Sequence, residues 1–197
     1  MIGAVLLAAG DAARMGAPKL LLPLDGEPLV RRAAAALCAT GCDEVLVVTG
    51  AEHEAIGAAL DGLDLRCVRN PEHRSGIGSS IRAGLAALDP RCEAALLALA
   101  DRPFVGTREY RALVDAWRLH QPLVVLSRFG GTTAPPHLVG RELFPELSVQ
   151  EAGARAVLER QTERRIVLDF PPELLADVDT PEEFERARRR LAPPAGA

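Results

Sequence analysis

Short apolar runs alternate along this chain with stretches whose apolar positions recur every three or four residues. The runs at Ala4–Ala8, Glu44–Val48, Leu65–Val68, Ala94–Leu99, Leu123–Ser127 and Arg165–Asp169 predict strands. The intervening stretches predict helices. Pro28–Ala39 has proline in its first turn and stops at Gly41, and Glu52–Leu60 follows the second strand. Gly78–Leu88 begins in a Gly/Ser loop. Thr107–His120 begins with a threonine cap and carries Tyr110, Leu113, Val114 and Trp117 on one face. Gly153–Gln161 and Pro181–Leu191 complete the set. Strand and helix in alternation predict an α/β fold with a largely parallel sheet. No repeat or linker divides the chain, so residues 1–191 are expected to form one domain, with a disordered tail over 192–197.

The segment Phe129–Val139, FGGTTAPPHLV, breaks this pattern. Gly130, Gly131 and the Pro135-Pro136 pair suit an irregular, exposed loop rather than a central strand. Loops beyond strand ends carry substrate contacts in open α/β sheets, so a second substrate is expected here.

Composition removes several functions. The net charge is −4 and aromatic residues are only 4%, which argues against nucleic-acid binding. The one cationic run, Arg186–Arg190, falls on the predicted C-terminal helix. The start MIGAVLLAAGD has no basic leader and is shorter than the roughly 20 apolar residues that span a bilayer. It reads as a buried first strand, and the chain as cytoplasmic. Cys38, Cys42, Cys67 and Cys92 form no C-x-x-C pair and show no zinc spacing with the histidines, so they read as reduced structural thiols.

Chemistry concentrates at loops after predicted strands. Between the first strand and Leu20, Gly10, Arg14, Gly16 and Lys19 place a flexible backbone and two cations around one anion site, as a polyphosphate needs. Five residues separate Gly10 from Gly16, so this is not a Walker A loop, and no G-x-G-x-x-G occurs. In Asn70–Leu85, Ser79 and Ser80 open a helix after Gly76. Two readings stand there: a phosphate or base-edge site, or a serine-capped helix. His73 reads as a surface residue. Asp101 ends an apolar strand, where a carboxylate can hold Mg²⁺ or simply start a turn before Pro103. Thr180 with Glu182 and Glu183 is a capped helix start, which leaves Asp177 and Asp179 unexplained; they alternate on an extended segment and so point the same way.

These residues carry a resemblance. LAAGDAARMGAPKLLLPLDGEPL resembles the signature LAAGxSxRMGxxKLLLPLxGxPLL of the MobA-like nucleotidyltransferases, with Gly10, Arg14, Met15, Gly16 and Lys19 in register. Its two alanines are most similar to the molybdenum-cofactor cytidylyltransferase branch; the guanylyltransferase branch usually reads LAGG. The segment at Asn70 resembles NPxxxxGMxxSLRAG with Ile77 for methionine, ALADRPFV resembles LxDxPxV, and ADVDTPEE resembles DIDTPED. Pro136–Arg141 and Glu151–Arg155 resemble GxPxLF and GDxGAR.

The resemblance implies a three-layer α/β/α domain with a Rossmann-like, mostly parallel sheet of the nucleotide-diphospho-sugar transferase type. It implies nucleotide binding by Leu7, Ala8, Ala9, Gly10, Arg14, Lys19, Gly76, Ser79 and Ser80, catalysis by Arg14, Lys19 and Asp101, and Mg²⁺ on Asp101 and Asp179. Arg102, Pro136, Gly153 and Arg155 fall on the acceptor side. The implied reaction moves CMP from CTP to the phosphate of a molybdenum-loaded pyranopterin and releases pyrophosphate. A molybdoenzyme or its maturation factor is the expected protein partner. The alternatives are a GTP-using guanylyltransferase, a sugar- or alditol-phosphate nucleotidyltransferase, a nucleotide-binding regulator without turnover, and an Asp-x-Asp glycosyltransferase. Asp11 stands where serine or glycine is usual, and Arg102 where glutamine or methionine is frequent. Arg102 either binds the acceptor phosphate or points outward. His137, Val139 and the Gln150-Glu151 pair also depart from the pattern.

Overall fold

The computed structural model of the chain describes residues 1–10 and 18–191. The tail expected over 192–197 lies outside them. The first apolar run forms strand β1, Ile2–Ala8. Its alternate side chains enter two cores: Ala4, Leu6 and Ala8 on one face of the sheet, Val5 on the other. A small hairpin of β2 (Pro23–Leu24) and β3 (Glu27–Pro28) follows, turned by Asp25 and Gly26 at positive φ of 57 and 81°. Then come α1 (Leu29–Cys38), β4 (Glu44–Thr49), α2 (His53–Ala59) and β5 (Arg66–Arg69). The middle of the chain holds α3 (Ile77–Ala87), β6 (Ala94–Leu99) and α4 (Thr107–His120). The rest holds β7 (Val124–Phe129), β8 (Thr132–Gly140), α5 (Phe144–Leu147), α6 (Arg155–Arg160), β9 (Arg165–Phe170) and α7 (Pro181–Leu191).

Seven strands form one sheet in the order β5-β4-β1-β6-β8-β7-β9, mostly parallel. One core packs β1 against α1 and α4 through Val30, Ala34, Leu37, Leu113 and Val114. The other packs it against α3, α5 and α6 through Ile81, Leu85, Phe144, Leu147 and Leu158. Helices on both faces of a mostly parallel sheet are the expected three-layer arrangement. The C-terminal ends of β1 and β6 lie side by side, Leu7 against Leu99, and this pairing sets the place of the site.

The expectation of a loop over Phe129–Val139 is wrong. Thr132–Gly140 is strand β8, hydrogen-bonded antiparallel to both β6 and β7 inside the sheet. Gly130 and Gly131, at φ of 54 and 91°, turn the β7–β8 hairpin instead of opening a loop. The prolines fit because the ladder jumps there, from Leu126 opposite His137 to Arg128 opposite Thr133. Pro135 and Pro136 fall in that bulge, where no N–H is needed. The Ser127 hydroxyl donates to the Pro136 carbonyl at 2.6 Å. The threonine cap of α4 is also corrected. Gly106 is the cap, its N–H donating to Glu109 at 3.0 Å, and the Thr107 hydroxyl donates to the Ala36 carbonyl.

The strand at 132–140 carries His137 into the interior, 4% exposed, with Nδ1 accepting the Ser127 N–H at 3.3 Å. Burial first, then the nearby Arg102 charge, pushes its ring down to about 3 from the ordinary 6.5. The unfolded chain therefore takes up a proton near 6.5 that the folded protein refuses. Stability is full above that pH and falls as pH drops toward 3, by up to about 1.4 kcal/mol per pH unit. Urea unfolding across pH 7 to 4 checks this: His137→Gln is expected to flatten the slope by one proton, and an unchanged slope contradicts it.

Candidate active site

The end of β1 runs into Ala9 and Gly10, and Ala9 is buried in the core beside α3. Asp11, Arg14, Met15 and Gly16 lie outside the described residues. The chain resumes at Pro18, which leads into a single 3-10 turn, Lys19–Leu21. Asp101 follows β6 by two residues. The extended segment after β9 returns along β6, with the Val178 N–H donating to the Asp101 carbonyl at 3.2 Å. That contact brings Asp179 to the same place, and Glu183 holds it there by accepting the N–H groups of Asp179 and Thr180 at 2.8 and 3.0 Å. Thr180 accepts the Glu183 N–H in return, so the cap read from the sequence and the unexplained aspartates coexist.

The result is one charged cluster. Lys19 Nζ lies 2.8 Å from Asp101 Oδ2 and 2.6 Å from Asp179 Oδ1, with the lysine side chain 11% exposed. Burial alone lowers the lysine pKa, but the two carboxylates outweigh it and raise it above the ordinary value. Asp177 takes the other neighbour, Arg102, at 2.9 Å. Its carboxyl is raised by burial, against Arg102 and with Asp101 and Asp179 behind it. The structure thus separates the two aspartates that the sequence grouped: Asp179 meets Lys19, Asp177 meets Arg102.

Arg102 does not point outward. It is 6% exposed, and its guanidinium donates to the Pro135 carbonyl of β8 at 2.6 Å. It ties the β6 end, the β8 bulge and the Asp177 segment together.

Two clefts flank this cluster. One is lined by Leu7, Ala9, Gly10, Gly76, Ser80 and Asp101. Ala8 faces the opposite core, and Ser79 turns into its own loop, where Oγ bonds the Gly76 and Glu72 carbonyls at 2.8 and 2.9 Å. Asn70, which motif reading passed over, donates to both serine hydroxyls at 2.8 and 3.1 Å and locks the start of α3. His73 is not a surface residue: it is half-buried and lines this cleft with Arg74. Its place three residues before Gly76 in the same turn was the available signal. The second cleft is lined by Ile77, Leu97, Pro135, His137, Gly153 and Arg155. Pro136 is buried beside it. Arg155 is 73% exposed and pairs with Glu159 at 2.8 Å. Leu7, Ile77 and Leu99 belong to both clefts, which makes them adjacent. The loop before α6 packs tightly on the start of α3: a methyl on Gly78 would run into the Gln150 carbonyl, and one on Gly153 would sit 2.8 Å from Ile77.

The donor set fits a divalent cation. Asp101 Oδ1 is buried and has no hydrogen-bond partner among the described residues. No cluster of three or more metal-ligating side chains occurs among them. Two carboxylates beside a phosphate-sized cleft match the habit of Mg²⁺, which keeps one or two carboxylates and takes the rest from phosphates and water. The four cysteines are unbridged, and among the described residues no helix is long and apolar enough to cross a membrane.

The sheet has the nucleotide-diphospho-sugar transferase fold, and the chain is a nucleotidyltransferase. The chain belongs to the MobA-like NTP transferase family, whose domain model matches residues 4–166. Nicotine blue oxidoreductase of Paenarthrobacter nicotinovorans is 35% identical over 196 residues, covering 92% of this chain and 94% of that protein. Purine catabolism protein PucB of Bacillus subtilis is 31% identical, covering 95% and 96%. A nucleotidyl transferase from Methanothermobacter thermautotroptrophicus superposes with a TM-score of 0.82 at 25% identity, covering 96% and 97%. Rv0371c of Mycobacterium tuberculosis, in complex with manganese, superposes at 0.77 with 26% identity, covering 96% and 99%. A divalent metal is consistent with that neighbour.

Proposed function

We propose that the protein transfers CMP from CTP to the phosphate of a molybdenum-loaded pyranopterin, with Mg²⁺ as cofactor. The observation that carries the reading is the convergence of Lys19, Asp101 and Asp179 beside the Gly10 cleft. In-line attack by an acceptor phosphate on an α-phosphorus needs positioning and neutralisation of charge, not a covalent nucleophile. Bound Mg²⁺ would supply charge neutralisation at the phosphates from Asp101 and Asp179. The Gly10 backbone and the Ser80 hydroxyl at the start of α3 face the triphosphate side. Lys19 supplies fixed positive charge where pyrophosphate leaves, and Arg14 is its expected partner. The adjacent cleft at Ile77, Gly153 and Arg155 takes the acceptor, with Arg155 at its rim for the phosphate. Arg102 braces this side from beneath.

Pyrophosphate release and product mass, measured with each of four nucleotides plus Mg²⁺ and the loaded pterin, test the reading. CTP is expected to give the cytosine dinucleotide. The Ala9 methyl lines the cleft and narrows it toward a pyrimidine. Ala9→Gly is expected to relax the CTP-over-GTP preference about tenfold or less, since one methyl is worth roughly 1 kcal/mol. A wild type that favours GTP moves the chain to guanylyl transfer. An alditol phosphate that yields a CDP product while the pterin yields none assigns the sugar- or alditol-phosphate reaction instead, and no pyrophosphate with any pair leaves a regulator.

A further inference from the structure

Five charged side chains stand together across the site, three carboxylates between two cations. Arg102 pairs with Asp177, Asp177 neighbours Asp101 and Asp179, and these two grip Lys19. The two cations at the ends are held differently. Arg102 is anchored by the Pro135 carbonyl as well as by Asp177, and its side chain is 8% exposed. Lys19 Nζ has hydrogen bonds to Asp101 and Asp179 alone among the described residues. Its charge sits on a flexible four-carbon stem, whereas a guanidinium fork is fixed by every bond it makes. Of the two cations, Lys19 is the one that can leave.

We propose that Lys19 is the resident counter-cation of the Asp101–Asp179 pair in the nucleotide-free enzyme. It must be drawn away by a polyphosphate before those carboxylates can hold a divalent cation. The inference rests on the metal assignment made above and adds a binding order to it: metal enters with the nucleotide, not before.

The physical ground is competition for the same oxygens. Asp101 Oδ2 and Asp179 Oδ1 both lie within 2.8 Å of one ammonium. A second cation there would sit against a like charge on a lysine side chain that is only 11% exposed, where repulsion is less screened than in bulk water. The remaining Asp101 oxygen is already buried without a partner among the described residues, so its desolvation cost is met whichever cation is present. Lys19 and Gly10 line one cavity, and Gly10 and Asp101 line an adjoining cleft that also shares Ala9. Phosphates that dock on the Gly10 backbone arrive between the two and offer Lys19 new oxygens.

Mn²⁺ alone is the probe, titrated without nucleotide and followed by the electron paramagnetic resonance of the free ion. Wild type is expected to bind it weakly, and Lys19→Met at least tenfold more tightly. Lys19→Met combined with Asp101→Asn is expected to lose that gain. Lys19→Gln and the thermal shift caused by Mn²⁺ repeat the comparison should the methionine variant misfold. Wild-type binding in the micromolar range, or no gain in either lysine variant, overturns the proposal, and so does a gain that survives Asp101→Asn. Because no nucleotide or acceptor is present, failure of the cytidylyl reading leaves this result standing, and the converse holds too.

Discussion

Asp101→Asn is expected to cut Mg²⁺-dependent turnover by a factor on the order of a hundred to a thousand, the scale of losing one preorganised charge contact in a transition state. The fold should survive. The substitution is nearly isosteric, the side chain is 24% exposed, and Lys19 keeps Asp179 as a partner. What is lost is specific. The buried Oδ1, which has no donor among the described residues, loses its negative charge, and an amide turned toward Lys19 would set donor against donor. Turnover with Mg²⁺ is measured beside the circular-dichroism melting curve. Near-wild-type turnover contradicts the metal assignment, and a collapsed melting curve makes Asp101 a folding residue.

The strands that the sequence revealed were those whose own residues are enough to bury them. β1, β4 and β6 are continuous apolar runs, and their pairing needs nothing beyond parallel crossovers. β8 was hidden because its cues are local and its cause is not. Two glycines and two prolines read as a loop, yet the glycines serve a two-residue turn and the prolines fall opposite Ser127, in a gap of the ladder. Only the partner strand shows that no N–H is missing. The cap of α4 failed for a smaller reason. Gly106 and Thr107 are both plausible caps, and the Thr107 hydroxyl has a distant partner in Ala36 that periodicity cannot show.

The candidate site divides along the same line. Lys19 is separated from Asp101 by 82 residues and from Asp179 by 160, so no spacing argument links them; only the family resemblance set them side by side beforehand. Their meeting depends on backbone pairing between Val178 and Asp101, which the sequence does not display. Arg102 was left with two options because nothing in ALADRPFV says where a guanidinium goes. Its direction is set by the Pro135 carbonyl, itself free to accept because the bulge takes it out of the ladder. Reading 129–139 as a loop therefore also hid the inward course of Arg102.

Lys19→Ala is expected to lower kcat by a factor on the order of a hundred to a thousand, with CTP affinity changed far less. Charge grows on the departing pyrophosphate as the transition state forms, so a fixed cation there is worth more in that state than in the ground state. The lysine is well placed to act so. Its side chain is 11% exposed, its 3-10 turn follows the rigid Pro18, and the carboxylates keep it charged. Lys19→Arg is expected to rescue poorly, because a planar guanidinium fork tends to stay on the two carboxylates, whereas a compact point charge on a flexible stem can move to the phosphates. Steady-state kinetics and equilibrium CTP binding separate the cases: a rise in KM alone makes Lys19 a ground-state binder. The loss cannot be assigned to missing metal either. Removing the lysine takes away the ammonium that competes for Asp101 Oδ2 and Asp179 Oδ1 and is expected to tighten divalent-cation binding, so slower turnover with tighter metal isolates the charge that Lys19 itself brings to the phosphates.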